Sequence, residues 1–149
     1  LPQAYATPDN LEARAHMMSA AAMGATAFQK GLGAIHAMSH PVGAVFNTHH
    51  GTTNAVCMPA VLAFNADAIR GRFDQAAAYL GIDGGFDGFC EFVQQFNDSF
   101  AIPRTLTEMG VSADRLDDLV AMALEDPSCG GNPVELTADG LRGLFRACF

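Results

Sequence analysis

Clustered positive charge is what this chain lacks first. Eight Lys and Arg stand against sixteen Asp and Glu, a formal net charge of -8. Phosphate binding needs clustered cations, so a large nucleic-acid surface is excluded, and the acidity serves solubility. Long apolar runs are missing too. The stretches around Ala20–Ala27 and Ala55–Phe64 are too short or too interrupted to span a bilayer. No cationic leader precedes an apolar block, so no signal peptide is read and a cytoplasmic protein without a membrane partner is expected. Cysteine is sparse: Cys57, Cys90, Cys129 and Cys148 lie far apart and none forms CxxC. That spacing excludes a zinc ribbon or a dithiol redox motif and leaves buried free thiols as the expectation. No segment alternates apolar and polar residues as a strand does, and no repeat or low-complexity segment occurs.

What is present is a helical pattern in 149 residues, half of them hydrophobic, which is enough for a real core in one domain spanning residues 1–149. Leu1–Pro8 reads as an extended, Pro-punctuated lead-in. Its start, without an initiator Met, reads as a cut end. Asp9 or Asn10 caps a helix over Leu11–Lys30, whose small residues (Ala20, Ala21, Ala22, Gly24, Ala25) predict tight packing on its neighbours. Gly31 and Gly33 end it. Helical character resumes over Gly33–Ser39, and Pro41 is expected to end or kink that helix at His40. After a polar turn at Phe46–Gly51, further helices are predicted over Thr52–Asn65 (broken or bent near Pro59), Asp67–Leu80, Phe86–Phe100, Ala113–Glu125 and Thr137–Arg146. Ser112 and Thr137 act as caps for the last two. Asp126–Pro133 is a Gly/Pro-rich loop. The expectation is an all-α chain of about seven helices.

Four of the five histidines fall in the fifteen residues from His36 to His50. His36 and His40 are four apart, which on a continuous helix puts them on one face as a chelating pair. His50, beside Gly51 at the start of the next helix, can project back toward them. Neutral imidazole suits Fe(II), Zn, Ni or Cu, and spacing does not choose among these. An isolated histidine near a helix end more often meets a backbone carbonyl or solvent, and His16, which has no company, is read that way. No HExxH motif appears, and the cluster contains no carboxylate. Gly31 and Gly33 do not follow a strand, so KGLGAIH fails the context test for a dinucleotide fingerprint.

The stretch GLGAIHAMSHPVGAVFNTHHGTTNAVCMPAVLAFN, Gly31–Asn65, closely resembles the signature of the iron-containing (group III) alcohol dehydrogenases, approximately GxxHAMAHPLGAxFxxPHGxxNAxLLPxVLxFN. LEARAHMMSAAAMGATAFQKGLG and NPVELTADGLRGLF are similar in style to the family's flanking segments. The resemblance implies the helical C-terminal domain of the dehydroquinate synthase-like, iron alcohol dehydrogenase fold. In that family an Asp and three His hold one divalent iron. Carried over, His36 and His50 are two of these ligands. His40 corresponds to a non-ligand that lies near the nicotinamide and handles a proton or the substrate, so it is the implied catalytic residue. The implied cofactors are Fe(II), with Zn(II) as the alternative, and NAD or NADP in the full-length enzyme. The implied partner is a small alcohol or aldehyde, and a homo-oligomer is compatible.

The resemblance also marks what is not in the sequence. The family's GGGS-type nucleotide loop and the upstream DAxxHAxE-like helix bearing the other two ligands are absent. The expectation is a C-terminal helical metal-binding domain without the N-terminal cofactor-binding α/β domain, inactive on its own. His49 stands where the family has Pro. In DPSCGGNPV, Cys129 is shifted by one position against the family's DxCxxxNPR, and Val134 replaces its Arg. The alternatives are a non-catalytic helical association module and a fragment of a hydroxyacid–oxoacid transhydrogenase.

Overall fold

The computed structural model describes all 149 residues and contains helices and loops only. Its contacts divide into two compact units, Leu1–Gly31 and Leu32–Phe149.

The first unit holds α1 (Pro2–Ala6), α2 (Leu11–Ala27) and a 3-10 turn over Phe28–Lys30. The extended lead-in expected at Leu1–Pro8 is therefore corrected. Pro2 occupies the first helical position, where its missing N–H has no intrahelical partner to lose. Asn10 caps α2 by accepting from the Ala13 N–H at 3.0 Å. Ala13 is the one buried residue of α2, while Ala20, Ala21, Ala22, Gly24 and Ala25 are exposed. Ala and Met occur on every side of α2, so no single stripe directs it onto a core.

The second unit contains α3 (Ala34–Phe46), α4 (His50–Phe64), α5 (Ala66–Leu80), α6 (Gly85–Ser99), α7 (Leu116–Glu125) and α8 (Ala138–Cys148). Helices α3, α4, α7 and α8 enclose the main core, with Met38, Val42, Cys57, Leu119, Leu141 and Phe145 fully or almost fully buried. A smaller core under α4, α5 and α6 is built on Leu62, Phe86 and Val93 with Phe73 and Phe89 edge-on. Helix α4 serves both cores, which is why its apolar residues surround it. Thr137 caps α8 as expected, accepting from Gly140 N–H, while Ser112 accepts from Asp114 N–H and caps a 3-10 turn over Ala113–Arg115 that leads into α7.

Neither internal proline breaks its helix. Helix α3 runs through Pro41 to Phe46, so of the expected end or kink at His40 the end is corrected. An interior proline costs about 3 kcal/mol, and here Pro41 is itself buried in a helix clamped by α4 and α7, so packing outweighs the lost bond. Pro59 likewise sits inside α4. Its missing N–H would have paired with the Ala55 carbonyl, and that oxygen instead accepts from the Asn97 side-chain amide at 3.1 Å.

The last connection is pinned to the base of α3. Asn132 and Asn65 exchange amide hydrogen bonds at 2.9 and 3.0 Å, and the Asn132 oxygen also accepts from the Ala34 N–H at 3.1 Å. Gly131 packs so closely on this turn that a Cβ there would overlap the Leu32 carbonyl oxygen.

Candidate functional site

The connection between α3 and α4 builds the site. Helix α3 ends at Phe46, Asn47 turns the chain with a left-handed φ of 53°, and α4 begins at His50. A loop of only three residues folds the start of α4 back beside α3. Continuity through Pro41 puts His36 and His40 one turn apart on the same face. The three rings then form a near-equilateral triangle: centroids are 5.6 Å apart for His36–His40, 5.2 Å for His36–His50 and 5.5 Å for His40–His50. His36 is half-buried, while His40 and His50 are open to solvent.

Two ring nitrogens of this triangle face one point. Asn54 lies one turn beyond His50, and its side-chain amide nitrogen is 3.1 Å from His50 Nε2 and 3.3 Å from His36 Nε2. The amide donates, so both Nε2 atoms present lone pairs. The Asn54 oxygen is buried without a hydrogen-bond partner. Burial, and next the neighbouring His50 and His40 rings, push His36 below the ordinary imidazole range, with Asp126 opposing. Neutral imidazole is the form that ligates a metal. The pair therefore fits a divalent cation as part of its shell. No group of three or more His, Cys, Asp or Glu closes a full shell within the chain.

His40 is held differently. Its Nδ1 lies 2.8 Å from Oδ2 of Asp126, a carboxylate whose side chain is only 12% exposed. The other oxygen, Oδ1, accepts from the Ser128 N–H at 2.8 Å. Burial by itself would raise the Asp126 pKa. Hydrogen bonds from Ser128 and His40 more than offset this and hold it below the ordinary carboxylate range.

The other histidines have local roles. His49 caps α4: its Nδ1 accepts from the Thr52 N–H at 3.3 Å and lies 3.1 Å from the Thr52 hydroxyl. His16 is exposed, 3.9 Å from Glu12. Of the thiols, Cys57 and Cys148 are buried and Cys90 and Cys129 half-buried, all free; Cys129 donates to the Ala123 carbonyl. A separate cavity of about 270 Å³ is lined by residues including Ala55, Pro59, Asn97 and Arg104, and by no histidine. Sequence reasoning missed Asn54 and Asp126. The first had a signal, its i, i+4 spacing from His50. The second is 86 residues from its partner, and its one signal was its place as the opening Asp of DPSCGGNPV, the stretch similar to the family's DxCxxxNPR.

The family model described as the Fe-containing alcohol dehydrogenase family, C-terminal, matches residues 1–149. The chain belongs to this family. It is 41% identical to 4-hydroxybutyrate dehydrogenase of Cupriavidus necator, over 90% of this chain and 37% of that protein. It is 34% identical to the NAD-dependent methanol dehydrogenase of Bacillus methanolicus, over 98% of this chain and 40% of that one. Among solved structures, a 1,3-propanediol oxidoreductase superposes with a TM-score of 0.92 at 30% identity, over 99% of this chain and 41% of the other. The chain thus spans about two fifths of the length of these relatives. The expected fold, the helical C-terminal part of the iron alcohol dehydrogenases, is the observed one.

Proposed function

We propose that this chain is the helical, metal-holding part of an NAD(P)-dependent alcohol dehydrogenase or aldehyde reductase acting on small alcohols or aldehydes. His36 and His50 are two of the ligands to a divalent iron, and His40 handles the proton. The observation that carries this reading is the convergence of His36 Nε2 and His50 Nε2 on one point, with the His40 ring 5.5–5.6 Å from both.

Lewis acidity toward an alcohol oxygen and acceptance of hydride are the chemistry that the metal and the nicotinamide supply when bound. The chain's own residues do the rest. His36 and His50 bind through Nε2, with His36 kept neutral by its surroundings. His40, anchored on Asp126, takes up the hydroxyl proton during oxidation and returns it during reduction. Two imidazoles fall short of the three protein ligands such a catalytic site has, so the remaining ligands and the nicotinamide site lie outside these 149 residues and the chain alone turns over nothing.

The test has two parts. Anaerobic titration of the chain with Fe(II), then Zn(II), should show weak saturable binding that His36→Ala and His50→Ala each abolish. In the full-length polypeptide, NAD(P)-linked turnover should be found in a panel including 4-hydroxybutyrate, methanol and 1,3-propanediol, the substrates named for its relatives. His36→Ala should reduce it by more than the about 10–100-fold typical of groups outside the metal's own shell. Normal turnover in His36→Ala would overturn the ligand assignment.

A further inference from the structure

Asp126 reaches His40 across 86 residues of sequence, and its placement is unusually determined. It precedes Pro127, which biases its backbone to the extended form seen at φ -69° and ψ 129°. That form lets Oδ1 cap the 3-10 turn Pro127–Gly131 through the Ser128 N–H, and it turns Oδ2 to His40. The loop is tied down at its far end by Asn132, bonded to the Ala34 N–H at the start of the helix that carries His40. One short segment thus meets α3 at both Ala34 and His40. An ionised carboxylate has only acceptors, so at 2.8 Å the proton between the two groups belongs to His40 Nδ1. The remaining nitrogen, Nε2, then carries the basic lone pair.

We propose that Asp126 is a positioning residue: it fixes His40 in the Nδ1–H tautomer and orients its ring, so that Nε2 is the atom that exchanges a proton with the reacting alcohol or aldehyde. The tautomer stands on the geometry alone, and the proton exchange rests on the dehydrogenase reading given above. The balance is simple. Nε2 gains the hydroxyl proton as the O–H bond breaks, Nδ1 keeps its proton, and the imidazolium formed is stabilised by the Asp126 carboxylate.

The experiment reads the tautomer directly, from long-range ¹H–¹⁵N correlation spectra of the histidine-labelled chain at a pH where His40 is neutral. Wild type should show the Nδ1–H form. Asp126→Asn should reverse it. The Asn oxygen can keep the Ser128 cap, and the amide NH₂ then faces Nδ1 and requires an acceptor there. Asp126→Ala should release His40 to a mixture. In the full-length polypeptide, Asp126→Asn should lower kcat by about 10²–10⁴-fold, the range of general acid–base contributions, with KM and iron content little changed. An Nε2–H form in wild type, or a tautomer that Asp126→Asn leaves alone, overturns the proposal. So does full turnover in Asp126→Asn, which leaves the dehydrogenase reading intact. If wild type lacks turnover on every substrate, the dehydrogenase reading and the proton exchange fall, and the spectra still decide the tautomer.

Discussion

At the scale of single residues, Asn54 has a double character. Its amide nitrogen bridges the two imidazoles that face one another across the α3–α4 turn, while its oxygen is buried and unpaired. An unpaired buried acceptor costs about 1–3 kcal/mol. Asn54→Asp replaces the bridging donor with an anionic acceptor between the two imidazoles. Zn(II) should then bind at least about tenfold more tightly, because a third protein ligand completes what two imidazoles begin. Calorimetric titration checks this. An unchanged Kd would mean that the bridging point is not where a cation binds. His49 offers a contrast. His49→Ala should leave metal affinity within about twofold and cost about 1 kcal/mol through the lost α4 cap, measured by urea unfolding.

At the scale of elements, two prolines sit inside helices that nevertheless continue, and they are accommodated by different means. Pro41 is carried by burial between α4 and α7, and its helix continues past His40 with the His36–His40 face unbroken. Pro59 is accommodated by a specific donor, Asn97 on α6, which takes over the Ala55 carbonyl. Asn97→Ala should therefore destabilise the fold by about 1–3 kcal/mol in the Pro59 background. It should cost less in Pro59→Ala, where the restored N–H can serve the same carbonyl. A double-mutant cycle from denaturant unfolding should give a coupling of at least about 0.5 kcal/mol, and additive effects would refute the substitution of one donor by the other.

At the scale of the whole molecule, the α3–α4 turn is local, but the site is completed by the chain's far end. Asn132 joins Asn65, Ala34 and Val134 in one network, and it closes the segment that begins at Asp126. Asn132→Ala strips several buried groups of partners at once. It should destabilise the chain by more than about 2 kcal/mol and weaken the hold on His40, seen as broadened His40 resonances while the His36 and His50 signals persist.

The sequence by itself determined the helical class, nearly every helix boundary in the second unit, a cap at Asp9 or Asn10, the Ser112 and Thr137 caps and the histidine cluster. Those features depend on residues within a turn or two of one another, where propensity, capping and i, i+4 spacing act. The family pattern across Gly31–Asn65 was legible for the same reason, since its motifs are contiguous. Only the tertiary structure decided that α3 runs through Pro41, because that outcome depends on packing from helices elsewhere in the chain. It also decided that Asn97 serves Pro59 and that Asp126 belongs to His40. A hydrogen bond between residues 86 apart leaves no periodic trace in a sequence. Its energy depends on a distance, and distances between remote residues exist only once the chain has folded.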